Sequence, residues 1–296
     1  MSTAATFNVD VAPEVAAVER AGVKPIKGPS AVSGDTKRFF HLTWTLAVLE
    51  FRLKFFGSAL GYIWQLMKPL LLFGVMLFVF TRAVKLGGGV TQYPVVLLSG
   101  VVLFTFFSES TGAAVTSVVD QEGIVRKIHF PRLVIPLSVV LTAYFNLALN
   151  YLAVVIFMLA RGVEPRWSWL MLIPLFLFLG IFATGVSMIV SSMYVRYRDV
   201  KPIWEVALQA IFYGSAIFYP IENIPSTKLQ HLIMCNPLAA VVQSVRHYVI
   251  DPSAPTAAQA IGGGWRLLIP IGITVGLAVF GLWYFNREAP RIAEEL

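Results

Sequence analysis

Charge is missing from long stretches of this sequence. Residues 133–160, 167–195 and 267–286 contain no Asp, Glu, Lys or Arg. A helix rises about 1.5 Å per residue and a bilayer core is about 30 Å thick, so each run is long enough to span a membrane. Helices of a soluble domain need a polar face, which these runs do not offer. Cysteine is nearly absent as well: the single Cys235 excludes an internal disulfide and any multi-cysteine metal site. The sequence has no Gly-Lys dipeptide, and therefore no P-loop for a nucleotide phosphate. His41, His129, His231 and His247 fall in separate segments without metal-ligand spacing. No serine stands in a G-x-S-x-G context. Any work this protein does must draw its energy from another chain or from an ion gradient.

What is present is hydrocarbon-like sequence, 57% hydrophobic and only 13% charged. Three further stretches carry one ionisable residue each: 63–81 with Lys68, 93–119 with Glu109 and 202–221 with Glu205. The reading is an all-α integral membrane protein of six transmembrane helices, at about 62–82, 93–119, 133–160, 167–195, 202–221 and 266–286. Residues 1–35, broken by Pro13, Pro25, Pro29, Gly22, Gly28 and Gly34 and without an apolar core, are expected to form a disordered cytoplasmic tail. The first span then acts as its own insertion signal.

Residues 36–56 differ from the spans. Phe39, Leu42, Leu46, Leu49, Leu53 and Phe56 recur at helical spacing, with Lys37, Arg38, Arg52 and Lys54 on the remainder and Glu50–Lys54 spaced as an i,i+4 pair. This is an amphipathic helix for the inner leaflet, compatible with packing on a partner. The segment 222–264 is apolar around 229–245 but is broken at Asn236-Pro237, so it reads as two short helices that dip into the outer leaflet and return.

The net charge of +7 is explained by anionic lipid and topology rather than by nucleic acid. Only Arg82, Lys85, Arg161, Arg166, Lys228, Arg246 and Arg266 fall on the outer side when the N-terminus is inside; the other basic residues fall inside, and the positive-inside rule then puts both termini in the cytoplasm. Trp64, Trp167, Trp169, Trp204, Trp265 and Trp283 all fall at span ends, as interfacial rings do.

Four segments carry a family resemblance: EFRLKFFGSALGYIWQLMKPLLL at 50–72, VRKIHFPRLVIPL at 125–137, VRYRDVKPIWEVALQAIFYGSAIFYP at 195–220, and Ile224-Pro225 with Asn236-Pro237-Leu238 and Arg246. In this order they resemble the permease subunits of type-2 ABC exporters, in the branch that exports O-antigen and teichoic-acid polysaccharides. The resemblance runs from about residue 36 to the C-terminus. It implies a type-2 ABC transmembrane domain in a bacterial cytoplasmic (inner) membrane, working as a homodimer with two copies of a cytoplasmic ABC ATPase. The substrate it implies is a lipid-linked cell-surface polysaccharide of O-antigen, teichoic-acid or galactan type. ATP and Mg would be bound by the partner and no cofactor by this chain, which would be a transporter component and not an enzyme. A drug or lipid exporter of the same type is the nearest rival, and an ion-coupled secondary transporter a more distant one.

Two groups of residues follow. The short basic inner segments offer a compact handle to a cytoplasmic motor, which puts Arg52, Lys54, Glu122, Arg126, Lys127, His129 and Arg132 at the ATPase contact. For a conduit, aromatic rings suit the C–H faces of sugars, which points to Tyr62, Phe73 and Phe80 on the first span. Trp204, Phe212, Ser215 and Tyr219 share one face of the fifth. Intramembrane charge is costly and marks function, and Glu109, about 24 Å along its helix from Tyr93, has least scope to snorkel. Lys68 and Glu205 fall at a similar depth, where a Lys–Glu pair is expected. Gly272-x-x-x-Gly276 reads as a packing face of the last span.

Overall fold

The computed structural model describes residues 36–55, 61–83, 92–123 and 131–295, without the side chains of 55, 62, 83 and 290–295. The expected tail at 1–35 lies outside them. Every regular element among the described residues is helical: α1 Thr36–Phe55, α2 Gly61–Phe78, α3 Tyr93–Asp120, α4 Val134–Ala160, α5 Leu172–Arg196, α6 Val200–Tyr213, α7 Thr227–Met234, α8 Pro237–Val245 and α9 Leu268–Glu295. Short turns prolong several of them, Val79–Ala83 after α2, Trp167–Met171 before α5 and Arg246–Ile250 after α8.

Among the described residues, five stretches are long and apolar enough to cross a membrane: Ile63–Arg82, Tyr93–Asp120, Val134–Ala160, Trp167–Arg196 and Gly264–Ala289. The chain is an all-helical, multi-pass membrane protein. The stretch 202–221 is not the continuous sixth helix expected from its composition. Its helix ends at Tyr213, and Ala216 takes a left-handed conformation (φ 50°) that a helix does not tolerate. The freed backbone is resatisfied locally, since Tyr219 Oη donates to the Tyr213 carbonyl and Tyr93 Oη to that of Phe218 (2.7 Å).

α3 is the centre of the bundle. It is 67% buried over its most apolar window, against 17% for the first and last spans, and it packs on α2, α4, α5 and α6. Pro94 starts it where a missing N–H costs nothing. The closest backbone approach joins α5 to α9: a Cβ on Gly185 would stand 2.7 Å from the Ala278 nitrogen, and one on Gly281 2.5 Å from the Gly185 oxygen. Gly272 and Gly276 meet nothing within 4 Å, so the expected packing pair is not the one this fold uses.

α1 packs on α4, burying Phe39, Thr43 and Ala47 and setting Trp44 and Phe51 edge-on to Phe145. Half of the expected stripe turns inward; Leu49 and Leu53 remain exposed. The two short helices at 222–264 are α7 and α8. α8 is buried along its whole length, and Asn236 both caps it, accepting from Leu238 N–H (3.0 Å), and donates to Ser215 Oγ (2.8 Å).

Candidate functional site

Glu109 is the junction of four helices. Its carboxylate accepts from Gln65 Nε2 on α2 (2.7 Å) and from Asn146 Nδ2 on α4 (2.9 Å), and Lys54 Nζ of α1 lies 3.6 Å away. Gln65 and Asn146 are buried, whereas Lys54 is 39% exposed along its side chain, so the ion pair is weaker than the two amide bonds. Beside it lies a cavity of about 200 Å³ that Glu50, Lys54, Thr142 and Asn146 help to line. The sequence offers Lys68 as a cation at the depth shared by Glu109 and Glu205. The structure exposes both Lys68 and Glu205 and brings Lys54 from the neighbouring amphipathic helix instead. For the same reason the Glu50–Lys54 pair gives way: Glu50 turns to Gln121 (2.8 Å), Ser138 and Thr142 (both 3.3 Å).

Burial raises the Glu50 carboxyl above its ordinary value, opposed by the hydrogen bonds from Thr142, Ser138 and Gln121. A carboxyl with a folded pKa above its unfolded one binds its proton more tightly in the folded state. Docking of α1 therefore strengthens as pH falls through the raised value and levels off below the unfolded one. Amide exchange over residues 36–55, corrected for intrinsic rates, should slow between neutral and mildly acidic pH, and Glu50→Gln should remove that dependence.

The aromatic stripe of α6 is real, but it faces inward. Trp204 Nε1 donates to Thr111 Oγ1 (3.2 Å), Phe212 is buried edge-on to Phe104 (4.7 Å), and Ser215 is fully buried at the Asn236 link. Tyr219 closes the turn after α6, Phe80 stacks on Phe218 at 4.9 Å, and Phe73 is buried against Phe157. Tyr62 has no described side chain. These residues hold the bundle together; the faces left open carry others. On α6 these are Pro202, Glu205, Val206, Gln209 and Tyr213, and on α2 Trp64, Lys68, Leu71, Leu72, Val75 and Phe78.

Arg52 is exposed, as are Arg196, Arg198 and Lys201 in and around the turn between α5 and α6. Glu122 is part-buried at the end of α3. Arg132 is only 4% exposed, because the turn that starts α4 packs Leu133 and Val134 against Val118 and Phe285 and takes Arg132 in with them. Arg126, Lys127 and His129 lie outside the described residues. Beyond α6 and α8, buried Arg246 pairs with Glu222 at 2.8 Å.

Gln65 and Asn146 were missed by sequence reasoning, although each is a polar residue in an apolar surrounding, which is signal enough; Glu50 was read only as the i,i+4 partner of Lys54. Among the described residues no group of His, Cys, Asp and Glu assembles that would hold a metal. With two amide donors and one ion-pair partner, the Glu109 carboxylate ties α1, α2, α3 and α4 together.

The sequence profile of a family described as ABC-2 type transporter matches residues 41–250. The O-antigen export system permease protein RfbA of Klebsiella pneumoniae is 30% identical over 259 residues, covering 87% of this chain and 95% of the relative. A protein of the same name from Myxococcus xanthus is 25% identical over 215 residues, 72% of this chain and 82% of the relative. The polysialic acid transport protein KpsM of Escherichia coli is 25% identical over 214 residues, 69% and 80% of the two chains.

Proposed function

The chain belongs to the ABC-2 type transporter family, and from this premise we propose that it is the membrane half of an exporter that carries a lipid-linked cell-surface polysaccharide out of the cytoplasm. It is a permease subunit and a transporter component, and ATP hydrolysis belongs to a separate ABC ATPase. Two copies of this chain form the pathway in the cytoplasmic membrane, and two ATPase subunits, carrying the ATP and Mg, dock on the inner face. The relatives named for O-antigen export and polysialic acid transport favour a polysaccharide over a drug or lipid cargo.

The observation that carries this reading is the composition of the open faces. α2 is long enough to span yet scarcely buried, and it and α6 expose Lys68, Glu205 and Gln209 among apolar residues. Polar side chains in a membrane face water or protein rather than lipid. A path between two copies, lined by the outward stripes of α2 and α6, satisfies them and leaves room for a hydrated polymer.

The sixth crossing is α6 together with residues 214–220. Fourteen helical residues give about 21 Å, and the seven that follow, even partly extended, complete a 30 Å core. Both termini are then cytoplasmic, and Arg52, Glu122, Arg126, Lys127 and His129 meet the ATPase, with Arg132 behind them as a packing residue of the same turn. Ser226 and Ser253 are exposed on either side of α7 and α8. In a Cys235→Ser background, cysteines at both positions should react with an impermeant thiol reagent from outside the cell. Labelling of the two from opposite sides would contradict this topology.

A further inference from the structure

An apolar groove of about 810 Å³ lies between the first half of α1 and the adjoining faces of α4, α5 and α9, and it shares no lining residue with the Glu109 cavity. It runs along the bundle, from Leu137 to Tyr144 on α4 and from Thr184 to Leu177 on α5, about 10 Å of helix on each. One end is fixed at the inner side, because Phe39 packs with Val195 and Phe285 near the inner ends of α5 and α9. Trp44, Leu177 and Ile181 leave it open laterally, each being more than 40% exposed.

The mouth is basic. Lys37, Phe40, His41 and Trp44 stand at i, i+3, i+4 and i+7 on one face of α1, and the last three line the groove. Lys37 therefore sits at the groove's edge, one turn nearer the start of α1, with Arg38 beside it. An extended protein segment is a poor occupant, because an apolar wall leaves its backbone N–H and C=O groups unpaired. A hydrocarbon chain has no such groups. From the apolar wall, its orientation along the bundle and the cationic inner end, we infer that this groove holds an acyl chain of an anionic glycerophospholipid of the inner leaflet, with its phosphate at Lys37, Arg38 and His41. The sidedness rests on the cytoplasmic N-terminus of the topology above. The site itself is separate from the polymer path, and its lipid wedges α1, the helix that carries Lys54, against α4.

Trp44 is a built-in probe. The full chain is reconstituted in phosphatidylcholine nanodiscs with either brominated phosphatidylglycerol or brominated phosphatidylcholine as a minor component, and the Trp44 signal is taken as the difference between wild type and Trp44→Phe. Quenching at Trp44 should favour phosphatidylglycerol about 25-fold, since each of the two basic side chains, Lys37 and Arg38, contributes about fivefold near an anionic surface. Lys37→Gln with Arg38→Gln should bring the preference below about twofold. Leu141→Phe with Ile181→Phe, which fills the groove and keeps the charges, should lower the phosphatidylglycerol retained by purified chain in native mass spectrometry. Equal quenching by both lipids, no quenching at Trp44, or a preference untouched by the charge change would overturn the site. None of these readouts involves transport, so such a result leaves the permease assignment standing, whereas thiol labelling with reversed sidedness would overturn the orientation instead.

Discussion

Phe212→Ala should lower the amount of chain in the membrane, and loss of surface polymer should follow loss of chain. Phe212 is buried edge-on to Phe104 and joins α6 to α3. In water such a truncation costs about 3–5 kcal/mol; in a bilayer, where lipid is as apolar as the core, the cavity and lost contacts remain, about 2 kcal/mol. The neighbouring Tyr213 is 61% exposed, about 100° further round the helix. Tyr213→Ala with Gln209→Ala should leave the amount of membrane-inserted chain unchanged and reduce polymer export several-fold. The two outcomes separate packing from lining on a single helix. Export per inserted chain, measured for both variants in the same cells, is the deciding quantity.

Glu109→Leu should be the most damaging single change among the polar links between α1, α2, α3 and α4. It strands the Gln65 and Asn146 amides, at about 1–3 kcal/mol for each buried donor left unpaired, and removes the partner of Lys54. Export per inserted complex should fall tenfold or more. Glu109→Gln keeps an acceptor for Gln65, and the Asn146 amide, whose Oδ1 is buried without a partner, can turn to accept from the new NH₂. It therefore isolates the charge and should be clearly milder. If Lys54 acts through Glu109, Lys54→Met combined with Glu109→Gln should lose little more than either change alone, a non-additivity that independent sites would not give. Polymer-stimulated ATPase activity of the assembled complex reads the same coupling without the rest of the export route.

Both predictions turn on what the amino-acid sequence conveys and what it leaves out. Uncharged runs of 20 residues or more need no tertiary context, so α4, α5 and α9 were legible at once. The stripe Trp204, Leu208, Phe212 was legible too, because periodicity says which residues share a face. It does not say which way the face looks, and in a membrane the two sides differ little in polarity. The stripe therefore read as lining, although it packs on α3. The end of α6 was hidden for a different reason, since the left-handed Ala216 is imposed by the links of Ser215 to Asn236 and of Tyr93 to the Phe218 carbonyl, all distant in sequence. Glu109 stood out as a charge in hydrocarbon. Its cation did not, because Lys54 arrives only through the packing of α1 on α4. Likewise Gly272 and Gly276 form a motif within one helix, whereas the close contact joins Gly185 to Gly281 across two.

The measurement that tests the central claim most directly is polymer movement in proteoliposomes. Vesicles bearing this chain and its ATPase, with the ATPase facing outward, are supplied with a lipid-linked polysaccharide on that side. Polymer protected from an added glycosidase is then followed after ATP. The account predicts that protection appears only with ATP and only when both proteins are present, and that the chain alone neither hydrolyses ATP nor shelters polymer. Protection that ignores ATP, or hydrolysis by the chain on its own, would contradict it.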